Sequence, residues 1–556
     1  MRRLVFLLIL LLISPSAAFQ IVEFCPDPYL PGDPDEYLVL EGYGSLDGVT
    51  ISDGEGGFRF PAGSGVSGRL VIARNGAAYT TTHGTPPDYE WYDYSPSVPD
   101  VIRSGNLQLA NTGDQLTLYE QGSPTQEIAW PPDVTARQGQ VHFLEGGIWD
   151  PRVLMIGQSR FTPAIFHGVD GVAFTAPDCS LALYEETVGS AREHILVNVY
   201  EFTSPRMIQS LVDARKRGVN VSVLLEGGPV GGISEDEKGA VSLLRAGGVP
   251  VRLMGGGTAA HPPYRFDHAK YLVTDRSRVL VTSENFKSNG FPVAGISGNR
   301  GWGVVLEDEG LADYFISVYS HDSSGAWTIP AEVTGGKVEE PDRQPYRTEF
   351  FPYSFRNATV TPVLSPDTSS LVIDLIRDAT ISVDIEQAYI TNESDGTFNP
   401  FLEAAFEAAH RGVRVRVLLD SSYYAIEEDA DNDEMVLAIN RYAAAEGLPV
   451  EARCADLHGN NLEKIHNKGV IADGNKVLVS SINWNTNSPQ FNREAGVIIE
   501  HPGVAAYFSA VFADDWNSAS GDPPDHRPDL LKIGITVAVI TGLLSVWLWK
   551  RKTYWD

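Results

Sequence analysis

His466-Asn467-Lys468-Gly469-Val470-Ile471-Ala472-Asp473, followed by Lys476-Val477-Leu478-Val479-Ser480-Ser481-Ile482-Asn483-Trp484, reads as two short strands joined by a tight turn at Asp473-Gly474-Asn475. Side chains alternate along a strand, so His466, Lys468 and Val470 share one face. A His and a Lys side by side make a poor core pair, and an anion is their natural tenant. The same pattern occurs earlier, as His268-Ala269-Lys270-Tyr271-Leu272-Val273-Thr274-Asp275 with Val279-Leu280-Val281-Thr282-Ser283-Glu284-Asn285. His268 and His466, Lys270 and Lys468, Asp275 and Asp473, Ser283 and Ser481, and Asn285 and Asn483 are all 198 residues apart. Two such matches in a chain with 12 His are not a coincidence of composition.

Around each motif the chain repeats an α/β order. Residues 194–200 read as a buried strand, then Ser204 and Pro205 open a helix as N-cap and first-turn residue. Arg217-Gly218-Val219-Asn220-Val221-Ser222-Val223-Leu224-Leu225-Glu226 ends that helix and forms the next strand. It matches Arg411-Gly412-Val413-Arg414-Val415-Arg416-Val417-Leu418-Leu419-Asp420 in the second half. Strands alternating with helices imply two lobes with mainly parallel sheets.

The H-x-K-x4-D and S-x-N signature, present twice, resembles the phospholipase D superfamily over roughly residues 150–520. That resemblance implies two α/β lobes around one active site, with a His from each. It implies His268, Lys270, Asp275, His466, Lys468 and Asp473 as catalytic residues, with each Asp in a supporting role. Ser283, Asn285, Ser481, Asn483 and Glu494 are the expected substrate contacts. The chemistry agrees. An anionic, inert phosphodiester needs charge neutralisation, a nucleophile and a proton for the leaving alkoxide. Lys270 and Lys468 can supply the first, one neutral His the second and one protonated His the third. No cofactor and no metal is expected. Asn492-Arg493-Glu494 follows the second motif, whereas Asn299-Arg300-Gly301 lacks the acid. On that asymmetry Glu494 is expected to raise the pKa of His466 as the proton donor, leaving His268 neutral as the nucleophile.

Residues 19–150 differ in composition, with 19 acidic residues against 5 Arg and no Lys. Short strand-like runs alternate with Gly, Pro and Asp turns. Glu36-Tyr37-Leu38-Val39-Leu40, Gly48-Val49-Thr50-Ile51-Ser52-Asp53-Gly54, Phe60-Pro61-Ala62-Gly63, Leu70-Val71-Ile72-Ala73-Arg74-Asn75 and Leu109-Ala110-Asn111-Thr112-Gly113-Asp114 make this region resemble a lamin-tail domain. That implies an immunoglobulin-like sandwich, accessory in prokaryotic surface proteins, with an unknown partner. Asp33, Asp35 and Glu36 read as an acidic solvated loop.

Met1-Arg2-Arg3, a short apolar run and Ser16-Ala17-Ala18 read as a signal peptide. Residues 533–549 carry no charge over 17 positions, about 26 Å as a helix. They precede Lys550-Arg551-Lys552, a topogenic cluster. The expected layout is a signal peptide at 1–18, the β-sandwich at 19–150, lobe 1 at 151–328 and a linker at 329–350. Lobe 2 follows at 351–519, a stalk at 520–530, a transmembrane helix at 531–549 and a cytoplasmic tail at 550–556. The expected location is the cell membrane, single-pass, with an extracellular ectodomain.

The 556 residues suffice for three domains, and 43% hydrophobic with 21% charged is a globular composition. A net charge of −30 repels a polyanion at long range and disfavours a non-specific nucleic-acid coat, although a local positive cleft can coexist with it. Three cysteines give no disulfide framework. The expected function is phosphodiester hydrolysis or transfer, with a phospholipid favoured over nucleic acid as partner because the stalk holds the site at a membrane. An extracellular nuclease and a cell-surface binding or adhesion module are the alternatives.

Overall fold

The computed structural model describes residues 19–135, 137–255, 260–422, 425 and 431–519. Its centre is one 15-stranded sheet shared by both lobes. In the first lobe the order runs from the edge through Val251–Met254, Asn220–Glu226, His194–Val199, Lys270–Thr274, Arg278–Thr282, Gly301–Glu307 and Phe166–Ala176. The second lobe mirrors it from Tyr353–Ser365 through Glu494–Glu500, Lys476–Ser480, Lys468–Ala472, Ser382–Gln387 and Arg414–Leu419 to Val450–Cys454. The seam is the antiparallel pair Phe166–Ala176 and Tyr353–Ser365, in contact from Phe166↔Val360 to Ala173↔Tyr353.

The expected mainly parallel sheets are corrected. Only the βαβ crossovers are parallel: His194–Val199 on Asn220–Glu226, that strand on Val251–Met254, and their two counterparts. The other pairings in the sheet are antiparallel, including those that carry the motifs. The reason is connection length. A parallel neighbour needs a crossover of a dozen residues, whereas each motif returns through a turn of a few residues and must pair antiparallel. The third strand, Gly301–Glu307 or Glu494–Glu500, then returns antiparallel again.

Helices cover both faces. Pro205–Lys216 starts from Ser204, whose hydroxyl accepts from Met207 N, and buries Met207, Ile208 and Leu211. Pro400–His410 is its counterpart, capped by Asn399. The sheet strands bury both faces, which suits their continuous Val, Ile and Leu runs.

Ahead of the lobes, two sheets pack face to face. One contains Phe19–Cys25, Tyr37–Ser45 and Gly65–Ala73, the other Val49–Ser52, Gly56–Arg59 and Thr112–Glu120. Ile21, Leu38, Leu40 and Ile72 meet Ile51, Phe58, Leu116 and Leu118 in a common core. The Asp35 and Glu36 expectation is corrected, because both are fully buried. Glu36 pairs with Arg74 at 3.2 Å, and burial raises its pKa to about 8.

The single-pass membrane architecture is also corrected, and with it the cell-membrane localisation. Among the described residues no helix is long and apolar enough to cross a membrane. The expected spanning stretch 531–549 and the expected signal peptide 1–18 lie outside the described residues.

Candidate active site

Each histidine sits just ahead of a buried strand of its own lobe, and the other lobe holds its backbone. Lys270 pairs with Val199 and Lys468 with Gln387, which anchors both lysines on central strands. His268 N donates to Arg493 O at 2.8 Å and Arg493 N to Phe266 O at 2.9 Å. Symmetrically, His466 N donates to Arg300 O at 2.8 Å and Arg300 N to Lys464 O at 2.8 Å. Both arginines are fully buried. Arg300 is held by Asp515 at 2.8 Å and Asp178 at 2.9 Å, and Arg493 by Asp322 at 2.8 Å and Asp367 at 2.9 Å. Removing one partner of such a group leaves an uncompensated buried charge, so these bridges hold the crossed segments in register.

The carboxylates cross as well. His268 Nδ1 lies 2.8 Å from Glu494 Oε2, and that oxygen also accepts from Ser481 Oγ at 2.6 Å. Asn492 Nδ2 donates to Glu494 Oε1 at 3.0 Å. The expectation that Glu494 serves His466 is therefore corrected: it faces the histidine of the other lobe. His466 Nδ1 has a different carboxylate, Glu284 Oε2, at 3.2 Å. The ring is close to it without the alignment of a hydrogen bond. Glu284 accepts from Asn299 Nδ2 at 2.9 Å, as Glu494 does from Asn492.

Sequence reasoning missed Glu284. Its signal was the missing acid at Gly301, the position equivalent to Glu494. Gly301 has no Cβ, and a Cβ there would fall against the Glu284 carboxylate. The acid of the first lobe has moved from the third strand to the residue after Ser283, and the glycine leaves it the space.

The four cationic groups share one cluster, because both rings feel both lysines. Burial lowers the pKa of His268, Glu494 opposes, and the lysines add to the lowering. His466 is held well below the ordinary imidazole value by burial, then by Lys468, Lys464 and Lys270. Burial pushes Lys270 down to about 8 against Glu494, Glu201 and Glu284. Lys468 is held well below the ordinary amine value by burial and by Lys270. Burial pushes the Glu494 carboxyl up, but His268 and Lys270 outweigh it and leave it below the usual range. Glu284 is raised by burial. Each amine rests on the carbonyl of its own motif histidine, Lys270 at 2.8 Å and Lys468 at 2.6 Å. Such a centre is short of negative charge, and an oxyanion would relieve the strain on all four groups.

The remaining expected residues are placed as follows. Ser283 Oγ accepts from Trp302 N and Ser481 Oγ from Ala495 N, so both serines tie the motif to the third strand. Asn285 Nδ2 donates to Glu201 at 2.9 Å, beside Lys287. Asn483 is buried with its Oδ1 unpartnered. Asp275 and Asp473 lie at the far ends of their strands and do not join the cluster. Asp275 accepts from Arg192 N, Glu193 N and His194 N. Asp473 accepts from Thr380 N, Ile381 N and Ser382 N.

The family described as cardiolipin synthase, PLD-like domain, matches residues 184–323 and 372–516, so both motifs fall inside it. A mitochondrial cardiolipin hydrolase of Mus musculus is 31% identical over 119 residues, 21% of this chain and 47% of the relative. One of Xenopus tropicalis is 28% identical over 131 residues, 23% of this chain and 55% of the relative. The chain thus spans about half the length of these curated relatives. Among solved structures, the phosphatidylserine synthase of Haemophilus influenzae has 14% identity, a TM-score of 0.47 and coverage of 67% of this chain and 94% of its own. The phospholipase D family member Nuc of Salmonella typhimurium has 21% identity, a TM-score of 0.25 and coverage of 31% and 99%. The family match covers none of residues 19–183, so the lamin-tail likeness rests on its sequence residues alone. Two complete motifs inside a match to more than half of the sequence place this chain in the PLD-like domain family of the phospholipase D superfamily.

Proposed function

We propose that the chain cleaves a phosphodiester of a phospholipid head group, or transfers its phosphatidyl group, through a phosphohistidine on His268. The observation that carries this reading is the crossed pairing of the two His/Lys sets, each ring facing a carboxylate of the opposite lobe. With Nδ1–H on Glu494, His268 presents Nε2 to phosphorus. Attack forms the N–P bond and breaks the bond to the leaving oxygen, which takes its electron pair and a proton from His466. Glu494 stabilises the imidazolium created on His268. His466, now neutral, takes a proton from water or an alcohol, whose oxygen attacks phosphorus and returns the N–P electrons to His268. Lys270 and Lys468 neutralise the non-bridging oxygens throughout. Burial and then the lysines depress His466, and bound phosphate offsets the lysine part, which favours the charged donor when substrate is present.

Two points favour a phospholipid over nucleic acid. The curated relatives are named as cardiolipin hydrolases, and a net charge of −30 repels a polyanion. The test offers the purified chain a phospholipid panel beside single-stranded and duplex nucleic acid, with and without an acceptor alcohol. Release of head group from lipid supports the reading, and cleavage confined to nucleic acid overturns it.

A further inference from the structure

An open pocket of about 400 Å³ lies where the N-terminal sandwich meets the lobes, lined among others by Tyr29, Arg137, Gln158, His261, Arg265 and Phe491. Its lining is rich in donors. Arg137 lies over the Phe491 ring at 5.4 Å, and Arg265 donates to Asn487 at 3.0 Å. Tyr29 stacks on His261 with ring centroids 3.9 Å apart. Gln158 is 7% exposed, and its Oε1 is occupied by Met155 N at 2.9 Å. Its Nε2 has no partner, nor has the buried hydroxyl of Tyr29. No carboxylate is among the described lining residues, in a chain that carries 72 acidic residues. Two guanidinium groups and two idle donors with no acid beside them form a seat for an anion.

The pocket also has a fixed relation to the active site. Arg265 N donates to Phe491 O at 2.8 Å, and the same pair of segments continues to His268 and Glu494. Two residues, Phe266 and Asp267, separate Arg265 from His268, a span of at most about 10 Å.

We propose that this pocket binds a second phosphate of the substrate, carried by the same lipid head group as the scissile diester. The inference rests on the His268 cluster being the phosphodiester centre. It assigns substrate selection in part to the N-terminal region, through Tyr29, Arg137 and Gln158, outside the family match.

The test compares the full chain with Arg265→Ala and Arg137→Ala on vesicles doped with cardiolipin, which has two phosphates, or with phosphatidylglycerol, which has one. The KM penalty should be about tenfold larger on cardiolipin than on phosphatidylglycerol, with similar kcat. Equal penalties on both lipids, or none, overturn the second-phosphate assignment. A penalty on a single-stranded oligonucleotide without one on either lipid also overturns it, in favour of a nucleic-acid track. Circular dichroism of each variant separates these results from misfolding. Full lipid activity in His466→Ala would instead remove the phosphodiester reading on which the proposal rests.

Discussion

At the residue scale the site is a set of exchanged carboxylates, and the exchange can be reversed. Glu284 with Gly301 does in the first lobe what Ile482 with Glu494 does in the second, because Asn299 and Asn492 hold both acids. Glu284→Ile should lower kcat by at least tenfold, since His466 loses its orienting partner. Gly301→Glu alone should be worse folded, because its Cβ meets the Glu284 carboxylate. The double variant places an acid on the third strand, as in lobe 2, and should recover most of the lost rate. A double variant as inactive as Glu284→Ile would refute the equivalence. The same groups set the pH profile. In the proposed mechanism Lys270 must be charged to hold phosphate, and burial brings its pKa down to about 8, with Lys468 also held well below the ordinary amine value. His466 must be protonated as well, and it is held well below the ordinary imidazole value, so the kcat/KM of the free enzyme should fall with rising pH before the value of about 8 at which Lys270 loses its charge. On the acid side His268 must be neutral, and its lowered pKa extends activity below the ordinary imidazole range. Glu494 raises His268 and Lys270, so Glu494→Gln should move the acid limb, set by His268, to lower pH. A profile unmoved by that change would separate Glu494 from the cluster.

At the scale of elements, the invariant spacing of Asp275 and Asp473 within their motifs has a structural cause. Each follows a motif strand with φ near +50° and gathers the three backbone N–H groups that start the neighbouring central strand. These N–H donors hold the Asp473 pKa down against the upward push of burial. Asp473→Ala should cost about 2 kcal/mol of stability, in line with charged hydrogen bonds at a half-open site. Denaturant midpoints at neutral pH measure it, with kcat per folded molecule within a few-fold of the parent. The contribution is present above the ordinary carboxylate value and is lost as pH falls through the lowered one. A large loss of kcat at unchanged stability would return Asp473 to the chemistry. The motif hairpins and the repeated βαβ units were legible because each depends on local alternation and capping, as at Ser204 and Pro205. Strand direction across the sheet was not, since the short turns after Asp275 and Asp473 outweigh the helix alternation. Glu284 was hidden for a related reason. Its equivalence to Glu494 exists only in space, across two strands.

For the whole molecule, the two lobes form one sheet and one site, so neither half holds a complete centre. The seam strands, the crossed backbone bonds at Arg300 and Arg493 and the shared lysine field all depend on both lobes. The chain leaving the sandwich is tied to the same assembly: Arg152 pairs with Asp150 and donates to the Asp367 carbonyl at 2.6 Å, and Ser159 Oγ donates to the Asp367 carboxylate at 2.9 Å. Asp367 in turn holds Arg493, whose carbonyl fixes His268. The structure thus connects the N-terminal region to the proposed nucleophile through buried polar bonds. The central claim is that one lobe supplies the attacking histidine and the other its proton donor. Rapid base quenching during turnover of a substrate labelled at phosphorus tests it most directly. With an activated leaving group that needs no proton donor, His466→Ala should accumulate label on the peptide containing His268, and His268→Ala should carry none. Label on the His466 peptide of His268→Ala, or steady turnover with no label on either histidine, would contradict the account.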